Sequence, residues 1–439
     1  MEKKKNNIYS SDWLQLHPYQ NSARTDFYYT QIANRILHRI APLFDSTDED
    51  FLTLSESEQK ELSCMLAAYF EDAISQTGMF RAFRQLHRAR YGTPVPFFPI
   101  GNEYADEEIN KEDVQFLVWH YFMQLNNLEI PLPPALALFG KIAESVMEIL
   151  DEEYETAPEN EKMQEYFRFT DKEAANLHLL HSKFFWLGTQ SYLFANNGLI
   201  LQEEAESLAE QAKNDNMEEQ IPDIVNLLCN DFGYNNTTEL FALSPAQWLA
   251  EIVGEGSPAY APLRSIGQKY TGYFRFEMQD GGKPGFRHIA TDRAFTVNPQ
   301  SLNGFPKEMK ENGVILYTGL VEFNGEWWLT GQTRSYEENE ELLDEISASN
   351  DEYELFEPET ELPDEEQEAI LADLLANDTA DEESEYSHPT WNALLCDELG
   401  KKFLYRQIEK QQLPALAPIQ QTDFPLNENL KFILDYIKR

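Results

Sequence analysis

The sequence predicts an α+β protein: a mainly α-helical N-terminal body, a small antiparallel β module, an acidic linker and C-terminal helices. In the N-terminal part apolar residues recur at helical spacing, whereas the β module alternates polar and apolar residues around turn signals. The linker holds 22 Asp or Glu and no Lys or Arg. We therefore divide the chain into a flexible leader (1–11), a helical domain (12–258), the β module (268–333), a largely disordered linker (335–386) and a C-terminal helical segment (387–439).

The β module shows the clearest local pattern. Residues 273–278 alternate polar and apolar side chains, and Asp280-Gly281-Gly282 suits the tight turn that follows. Asn324-Gly325, between two further apolar stretches, is a strong hairpin signal. We expect about five strands in a barrel-like arrangement. The predicted core of this module consists of Phe274, Phe276, Phe286, Phe295, Leu316 and one of Trp327 and Trp328.

The helical domain is predicted from apolar residues that recur three or four positions apart. Tyr28, Ile32 and Ile36 follow this spacing and give one helix a single buried face. Residues 113–128 form the most hydrophobic helical stretch, which should lie at the centre of the core. Residues 12–19 are aromatic-rich and include a proline, so we expect an extended segment lying on the helices.

Positive charge is concentrated in one predicted helix. Arg81, Arg84 and Arg88 share one helical face, and His87 lies beside them. Three arginines on one face could bind the phosphate or carboxylate of a small anionic ligand through bidentate hydrogen bonds. Alternatively, they pair with the surplus carboxylates of the chain itself, which is the interpretation that the composition favours.

Histidines and sequence motifs give no sign of catalysis. His120 lies in an apolar helix without a second ligand within one turn, so we expect a core histidine. His178 and His181 share a helical face but lack the Glu-x-x-His pattern of di-metal bundles. The motifs of serine hydrolases, zinc proteases and P-loop proteins are absent from the sequence. We predict no metal, no cofactor and no catalytic residue, and the sequence favours a non-enzymatic protein.

Composition limits the classes of partner. The chain carries 77 acidic and 34 basic residues, a net charge of −43. Such a field repels nucleic acid and anionic membrane surfaces, and it either favours a basic protein partner or simply keeps the chain in solution. No apolar run reaches the length of a membrane span, and no signal peptide is recognisable. Because Cys64, Cys229 and Cys396 are scattered, we expect a cytoplasmic protein without disulfides or a zinc site.

The acidic linker contains one apolar pattern. Ile370, Leu371, Leu374 and Leu375 form a narrow stripe in a predicted helix. The stripe could fold into the groove of a partner protein or pack against its own domain, and the pattern suits both outcomes equally.

Several segments together resemble an uncharacterised bacterial family, a domain of unknown function. The segments that carry the resemblance are residues 91–97, 112–121, 157–158, 285–290 and 295–299. The resemblance covers most of residues 12–332 and implies a bacterial cytoplasmic protein with a helical body and a terminal β module. It implies no activity, cofactor or catalytic residue.

Three functional hypotheses are open at this point. The first is a non-enzymatic adaptor whose acidic stretch, 335–386, engages a basic partner. The second is an enzyme or ligand-binding protein that holds a small anionic ligand with Arg81, Arg84, His87 and Arg88, in a cleft between the helical domain and the β module. The third is a mimic of nucleic acid that inhibits a nucleic-acid-binding protein, which would require ordered carboxylates at phosphate-like spacing.

Overall fold

The computed structural model describes residues 7–44, 52–96, 98, 100–125, 136–214, 217–238, 240–241, 243–278, 283–338 and 340–348. Some predicted features lie outside the described residues, namely the turn at Asp280-Gly281-Gly282, the stripe Ile370, Leu371, Leu374 and Leu375, and the C-terminal helical segment 387–439.

The described part is mostly helical up to residue 264 and is followed by a five-stranded antiparallel sheet, so the predicted α+β class is confirmed. The helices are α1 (Ser10–Leu14), α2 (Asp26–Phe44), α3 (Glu56–Ser75), α4 (Met79–Tyr91), α5 (Lys111–Leu125), α6 (Ala137–Glu153), α7 (Glu161–Tyr166), α8 (Asp171–Ala174), α9 (Leu177–Gln190), α10 (Ala195–Asn214), α11 (Ile221–Asn235), α12 (Pro245–Val253), α13 (Tyr260–Arg264) and, after the sheet, α14 (Glu340–Ala348).

The helices pack around one hydrophobic core. Ile32 and Ile36 are buried along α2, as their spacing predicts. Helix α5 is enclosed by its neighbours and buries both Phe116 and Phe122 completely. Burying such a side chain stabilises the fold by roughly 1.5–3 kcal/mol. The prediction that α5 is central to the core is confirmed.

The N-terminal segment differs from its prediction. Residues 10–14 form helix α1, although an extended segment is predicted over 12–19, and Trp13 is fully buried. The Asp12 carboxylate accepts the backbone N–H of Tyr9 at 2.8 Å and stabilises the first turn of the helix. Ile8 is buried too, and its backbone exchanges two hydrogen bonds of 2.9 Å with the side-chain amide of Asn34. The flexible leader predicted for 1–11 is therefore too long.

The sheet has the strand order β3-β2-β1-β4-β5 with every neighbouring pair antiparallel. The strands are β1 (Lys269–Met278), β2 (Pro284–His288), β3 (Ala294–Thr296), β4 (Ile315–Phe323) and β5 (Glu326–Tyr336). Asn324 and Gly325 form the turn between β4 and β5 with positive φ angles of 52° and 74°, which is the geometry that the Asn-Gly pair predicts.

The two faces of the sheet are buried differently. One face carries a separate core that includes the predicted residues Phe274, Phe276, Phe286, Phe295 and Leu316. Trp327 packs at its margin, so it is the tryptophan that joins this core. Trp328 points to the opposite face and packs with Val321 and Phe323 against the helical core. The sheet therefore joins the helical body through the side chains of β4 and β5.

The barrel-like arrangement predicted for the β module is wrong, because the sheet is not closed. Its two edges approach each other at a bridge between Val297 and Trp327, and the ring centroids of Phe295 and Trp327 lie 4.9 Å apart. Strand β3 has only three residues, too few to form a second ladder along β5.

The start of the acidic stretch is ordered. Strand β5 continues to Tyr336, beyond the boundary predicted at residue 333, and α14 follows within the stretch. Arg334 forms an ion pair with Asp223 of α11, and Ile346 of α14 is buried. Residues 335–338 and 340–348, which the prediction assigns to the linker, therefore belong to the described fold.

A buried lysine joins the sheet to α11. The Nζ atom of Lys269, on β1, lies 2.5 Å from the Asp231 carboxylate, while the rest of its side chain crosses β4 at Gly319. A Cβ atom at position 319 would lie 2.2 Å from Cε of this lysine, so the path requires glycine. Nearby, the Thr330 hydroxyl donates to the Tyr234 hydroxyl at 3.1 Å. These contacts fix the orientation of the sheet on the helical body.

Candidate functional site

A large groove opens in the helical body. Helices α3 and α5 form one side, and α9, α10 and α11 form the other. Its volume is about 1060 Å³, at the upper end of the range for small-molecule clefts. The apolar part of its lining includes Leu16, Cys64, Met65, Phe185, Leu199 and Val225.

The first wall of the groove is one face of α3. This helix begins with a capping box, in which the Ser55 hydroxyl accepts the Glu58 N–H and the Glu58 carboxylate accepts the Ser55 N–H at 2.6 Å. From that start, Ser57, Glu61 and Cys64 follow at intervals of four and three residues. They therefore lie on the same side of the helix, toward the groove.

The opposite wall depends on a close approach between two helices. Gly198, Gln202 and Ala205 line the groove from α10 at intervals of four and three residues. A Cβ atom at position 198 would lie 2.2 Å from the Thr189 carbonyl oxygen of α9. Glycine is therefore required for α10 to pack this closely against α9.

Glu61 is the ionisable group best placed to bind a ligand in the groove. The buried Tyr121 donates its hydroxyl to the Glu61 carboxylate at 3.1 Å and is also within 2.9 Å of the Glu58 carbonyl oxygen. The surrounding protein raises the pKa of Glu61 above its usual value by desolvation, against the opposing effect of the Tyr121 hydrogen bond. Within the described part of the chain, Glu61 forms no ion pair, although it is accessible in the groove.

The remaining ionisable groups give the groove an acidic lining. Asp12, Glu56 and Glu61 line it together with a single base among the described residues, Lys60. Burial raises the pKa of the Cys64 thiol to about 12, so this cysteine is not a thiolate nucleophile at neutral pH. The arrangement suits a molecule that is apolar on one side and positively charged on the other.

The predicted arginine face is largely occupied by carboxylates of the chain itself. Arg84 forms an ion pair with Asp113 at 3.0 Å, and Arg88 donates to Asp106 at 2.6 Å on the surface. His87 is fully buried, and its Nδ1 atom lies 2.5 Å from the Thr93 carbonyl oxygen. Within the described residues Arg81 makes no ion pair and borders only a small depression. This geometry favours structural salt bridges over a shared anion site.

The histidines singled out in the sequence lie in apolar surroundings. His120 is buried, stacks on Phe116 and lies 2.9 Å from the Gln124 side chain; burial lowers its pKa to about 4. The interpretation as a core histidine is therefore confirmed. His181 stacks on Tyr234 at 4.8 Å, and burial lowers its pKa to about 4 as well.

A buried cluster of His17, Glu71 and Asp26 was not predicted from the sequence. These residues have the donor atoms of a metal site and lie within 4.8 Å of one another. However, the Nε2 atom of His17 contacts Glu71 directly at 2.7 Å, and Asp26 accepts hydrogen bonds from the Trp13 indole and the Tyr19 hydroxyl. We interpret the cluster as a hydrogen-bonded charge network. No sequence signal indicates it, because Glu71 lies 54 residues beyond His17.

The groove residues were likewise missed. Glu61 falls inside a correctly predicted helix, but its partner Tyr121 is 60 residues away and the residues of the opposing wall are more than 120 residues away. Local periodicity shows which side of α3 is polar, and it does not show what faces that side.

A family model described as "Protein of unknown function (DUF3843)" matches residues 7–278. The chain belongs to this family. The DUF3843 match covers the helical body and β1, and with it every helix that lines the groove. It confirms the resemblance to a family of unknown function, although the matched region ends before the segments at 285–299. No curated protein and no solved structure shows significant similarity to the chain. Within its described part, every helix is too short or too polar to cross a membrane.

The His17 cluster of this DUF3843 protein predicts a pH dependence of stability. Burial alone would lower the pKa of His17, but the Glu71 carboxylate outweighs it and raises the pKa above 6.5. The folded state therefore binds this proton more tightly than the unfolded state. The resulting stabilisation is complete below about pH 6.5 and is lost as pH rises through the folded pKa. Urea unfolding between pH 6 and 9 should show this decline.

The variant His17→Gln isolates this contribution. Above pH 6.5 its free energy of unfolding should decline less steeply than that of the wild type. Other buried histidines, including His87 and His120, have a lowered pKa and act in the opposite direction, below pH 6.5. Equal slopes for the two proteins above pH 6.5 would contradict the assignment.

Proposed function

We propose that this protein is a non-enzymatic adaptor that binds a basic partner in the groove between α3 and α10. The occupant is an amphipathic helix with apolar residues on one side and Lys or Arg on the other. The acidic stretch beyond residue 348 acts as a second, long-range element that attracts the same partner. The proposal places the protein in the bacterial cytoplasm, in agreement with its scattered cysteines.

The proposal rests on the environment of the Glu61 carboxylate. A carboxylate that is held by Tyr121 and partly desolvated by apolar walls gains more from a cation than a fully hydrated one does. An incoming ammonium or guanidinium would form a charge-assisted hydrogen bond with it. The raised pKa of Glu61 is then expected to fall when the partner binds, since a nearby positive charge favours the ionised form.

The dimensions of the groove agree with a short helix. The part of α3 that lines it runs from residue 56 to residue 65, roughly 15 Å at the helical rise per residue. This length corresponds to two to three turns of a docked helix. Leu199 and Ile200, which are among the exposed large apolar side chains, lie at or beside the rim on α10 and offer additional apolar surface.

Charge should act mainly on the rate of association. A net charge of −43 creates a field that draws basic molecules toward the protein over distances comparable to the screening length. Because β5 and α14 extend to residue 348, the acidic stretch is best tested by deleting 349–386 and keeping the described fold intact. The deletion should lower the association rate, and that rate should then depend more strongly on each acidic residue that remains. The contribution of Glu61 to binding should persist.

The central test uses a defined probe. A fluorescent 15-residue peptide with a leucine face and a lysine face should bind the full-length protein, and Glu61→Gln should weaken binding about tenfold because one charge-assisted hydrogen bond is lost. Fluorescence anisotropy measures both affinities. Glu210→Gln is the matched control, since Glu210 is exposed on α10 outside the groove, and it should leave the affinity unchanged.

A second peptide with glutamate in place of lysine tests the role of charge. It should fail to bind the wild type, because its carboxylates would face Glu61 and Asp12. Equal binding of both peptides, or equal losses in Glu61→Gln and Glu210→Gln, would refute the proposed binding mode.

A further inference from the structure

We propose that the groove is occupied in the full-length protein by a basic segment of the same chain, residues 401–411, which a partner must displace. This inference rests on the proposed function and names a regulator of that site. The segment lies outside the described residues.

Residues 401–411 have the composition that the groove requires. They contain four basic residues and one acid, in a chain whose net charge is −43. Lys402, Arg406 and Lys410 recur at intervals of four and would share one face of a helix. Leu404 and Ile408, also four apart, would lie on another face. The segment therefore has the apolar and cationic sides that the proposed function assigns to a partner.

Charge and length both match the groove. The carboxylates of Glu61 and Asp12 line it, and its walls offer apolar surface for Leu404 and Ile408. As a helix, eleven residues would extend over about 16 Å, close to the length of the wall formed by α3. The 52 residues from 349 to 400 could span on the order of 170 Å, so the chain is long enough to reach any face of the body.

Intramolecular binding would compete effectively with a free partner. A tethered segment has an effective local concentration in the millimolar range when its linker can span the distance. A weakly binding partner would therefore occupy the groove only after the tethered segment is released. Weak basic ligands would fail to bind in the groove, whereas a specific partner would displace the segment.

The test compares two full-length variants that change the charge equally. The groove-binding variant combines Lys402→Glu, Arg406→Glu and Lys410→Glu, and the control variant combines Lys431→Glu, Lys438→Glu and Arg439→Glu. The first should bind the lysine-faced probe peptide about tenfold more tightly than the wild type, because the competing segment is gone. The control should bind like the wild type.

Cross-linking identifies the contact directly. A carbodiimide joins lysine amines to neighbouring carboxylates, and in the wild type it should link Lys402 or Lys410 to Glu61 or Asp12. Links confined to acids of 349–386 would overturn the inference, because the segment would then bind the linker. In a mixture of isotope-labelled and unlabelled protein, links found only between the two forms would overturn it, because the segment would then bind a second copy of the chain.

Glu61→Gln is also measured in the groove-binding variant, where the segment does not compete and the probe should lose about tenfold in affinity. Probe affinity that is equal in all three proteins, with this loss retained, would refute self-occupancy and leave the proposed function intact. If no protein binds the probe, the proposed function fails, and the cross-links alone decide the inference.

Discussion

Replacing Arg84 by methionine should lower the free energy of unfolding by about 3–5 kcal/mol, because it leaves the buried Asp113 without its cation. Asp113 is inaccessible to solvent and lies 3.0 Å from the Arg84 guanidinium. A loss of this size is a large fraction of the roughly 5–15 kcal/mol by which a typical domain is stable. Urea unfolding followed by circular dichroism measures it.

The remaining partners of Asp113 reduce the loss and do not abolish it. The hydroxyls of Tyr104 and Tyr69 donate to its carboxylate at 2.7 and 2.9 Å, and the Asn110 amide does so at 3.2 Å. These are neutral donors, and they cannot balance a full charge in the interior. Burial already raises the pKa of Asp113 to about 6 in spite of Arg84. Without the arginine the carboxyl should stay protonated to higher pH, so the variant loses less stability at pH 5 than at pH 8.

Arg88→Met is the matched control. Arg88 lies one helical turn further along α4 and pairs with Asp106, but both partners are exposed. Exposed pairs contribute about 0–1 kcal/mol, so this variant should be close to the wild type. Similar losses in both variants would show that α4 contributes through packing of its arginine side chains rather than through the buried charge.

Arg84 and Arg88 also show which features of the site could be predicted from the sequence. Their spacing placed them on one helical face, as the structure confirms, and composition favoured pairing with the chain's own acids. Which acid each arginine meets could not be predicted. Asp113 is 29 residues from Arg84, and its burial depends on the connection between α4 and α5. The local sequence pattern shows which face of a helix a residue occupies. The ion-pair partner of that residue across the core depends on the three-dimensional path of the chain.

The misjudged elements have local explanations. Pro18 suggested that residues 12–19 are extended, but it follows α1 and therefore does not interrupt it. The carboxylate of Asp12 three residues after Tyr9 is a helix-start signal that could have indicated α1. At the other end, the run of acids suggested that order stops near 333. Arg334 instead pairs with Asp223 and holds β5 against α11, a contact between residues 111 apart.

Asp72→Ala should destabilise the protein by about 4 kcal/mol, since one buried carboxylate satisfies several donors at the junction of α3 and α4. Its two oxygens accept the backbone N–H groups of Gly78, Met79 and Phe80 at 2.8, 3.1 and 2.8 Å. They also accept the hydroxyl of Tyr192 at 2.7 Å. Alanine would leave these donors buried without an acceptor, which costs far more than losing a cap in water. Thermal and urea unfolding should both show the loss.

Ser55→Ala separates the effect of burial from that of capping. Ser55 caps α3 at an exposed position, so its loss should cost only about 1 kcal/mol, because water can replace the hydroxyl. Asp72→Asn should fall between the two, since an amide keeps one acceptor oxygen but presents N–H groups to the donors on the other side. A carboxylate that served only as a helix cap would make Asp72→Ala and Ser55→Ala equally mild. The expected order, with Asp72→Ala the most destabilising and Ser55→Ala the least, follows because Asp72 and Tyr192 are buried at the junction of α3 and α4. This junction holds α3, the helix that forms the first wall of the groove.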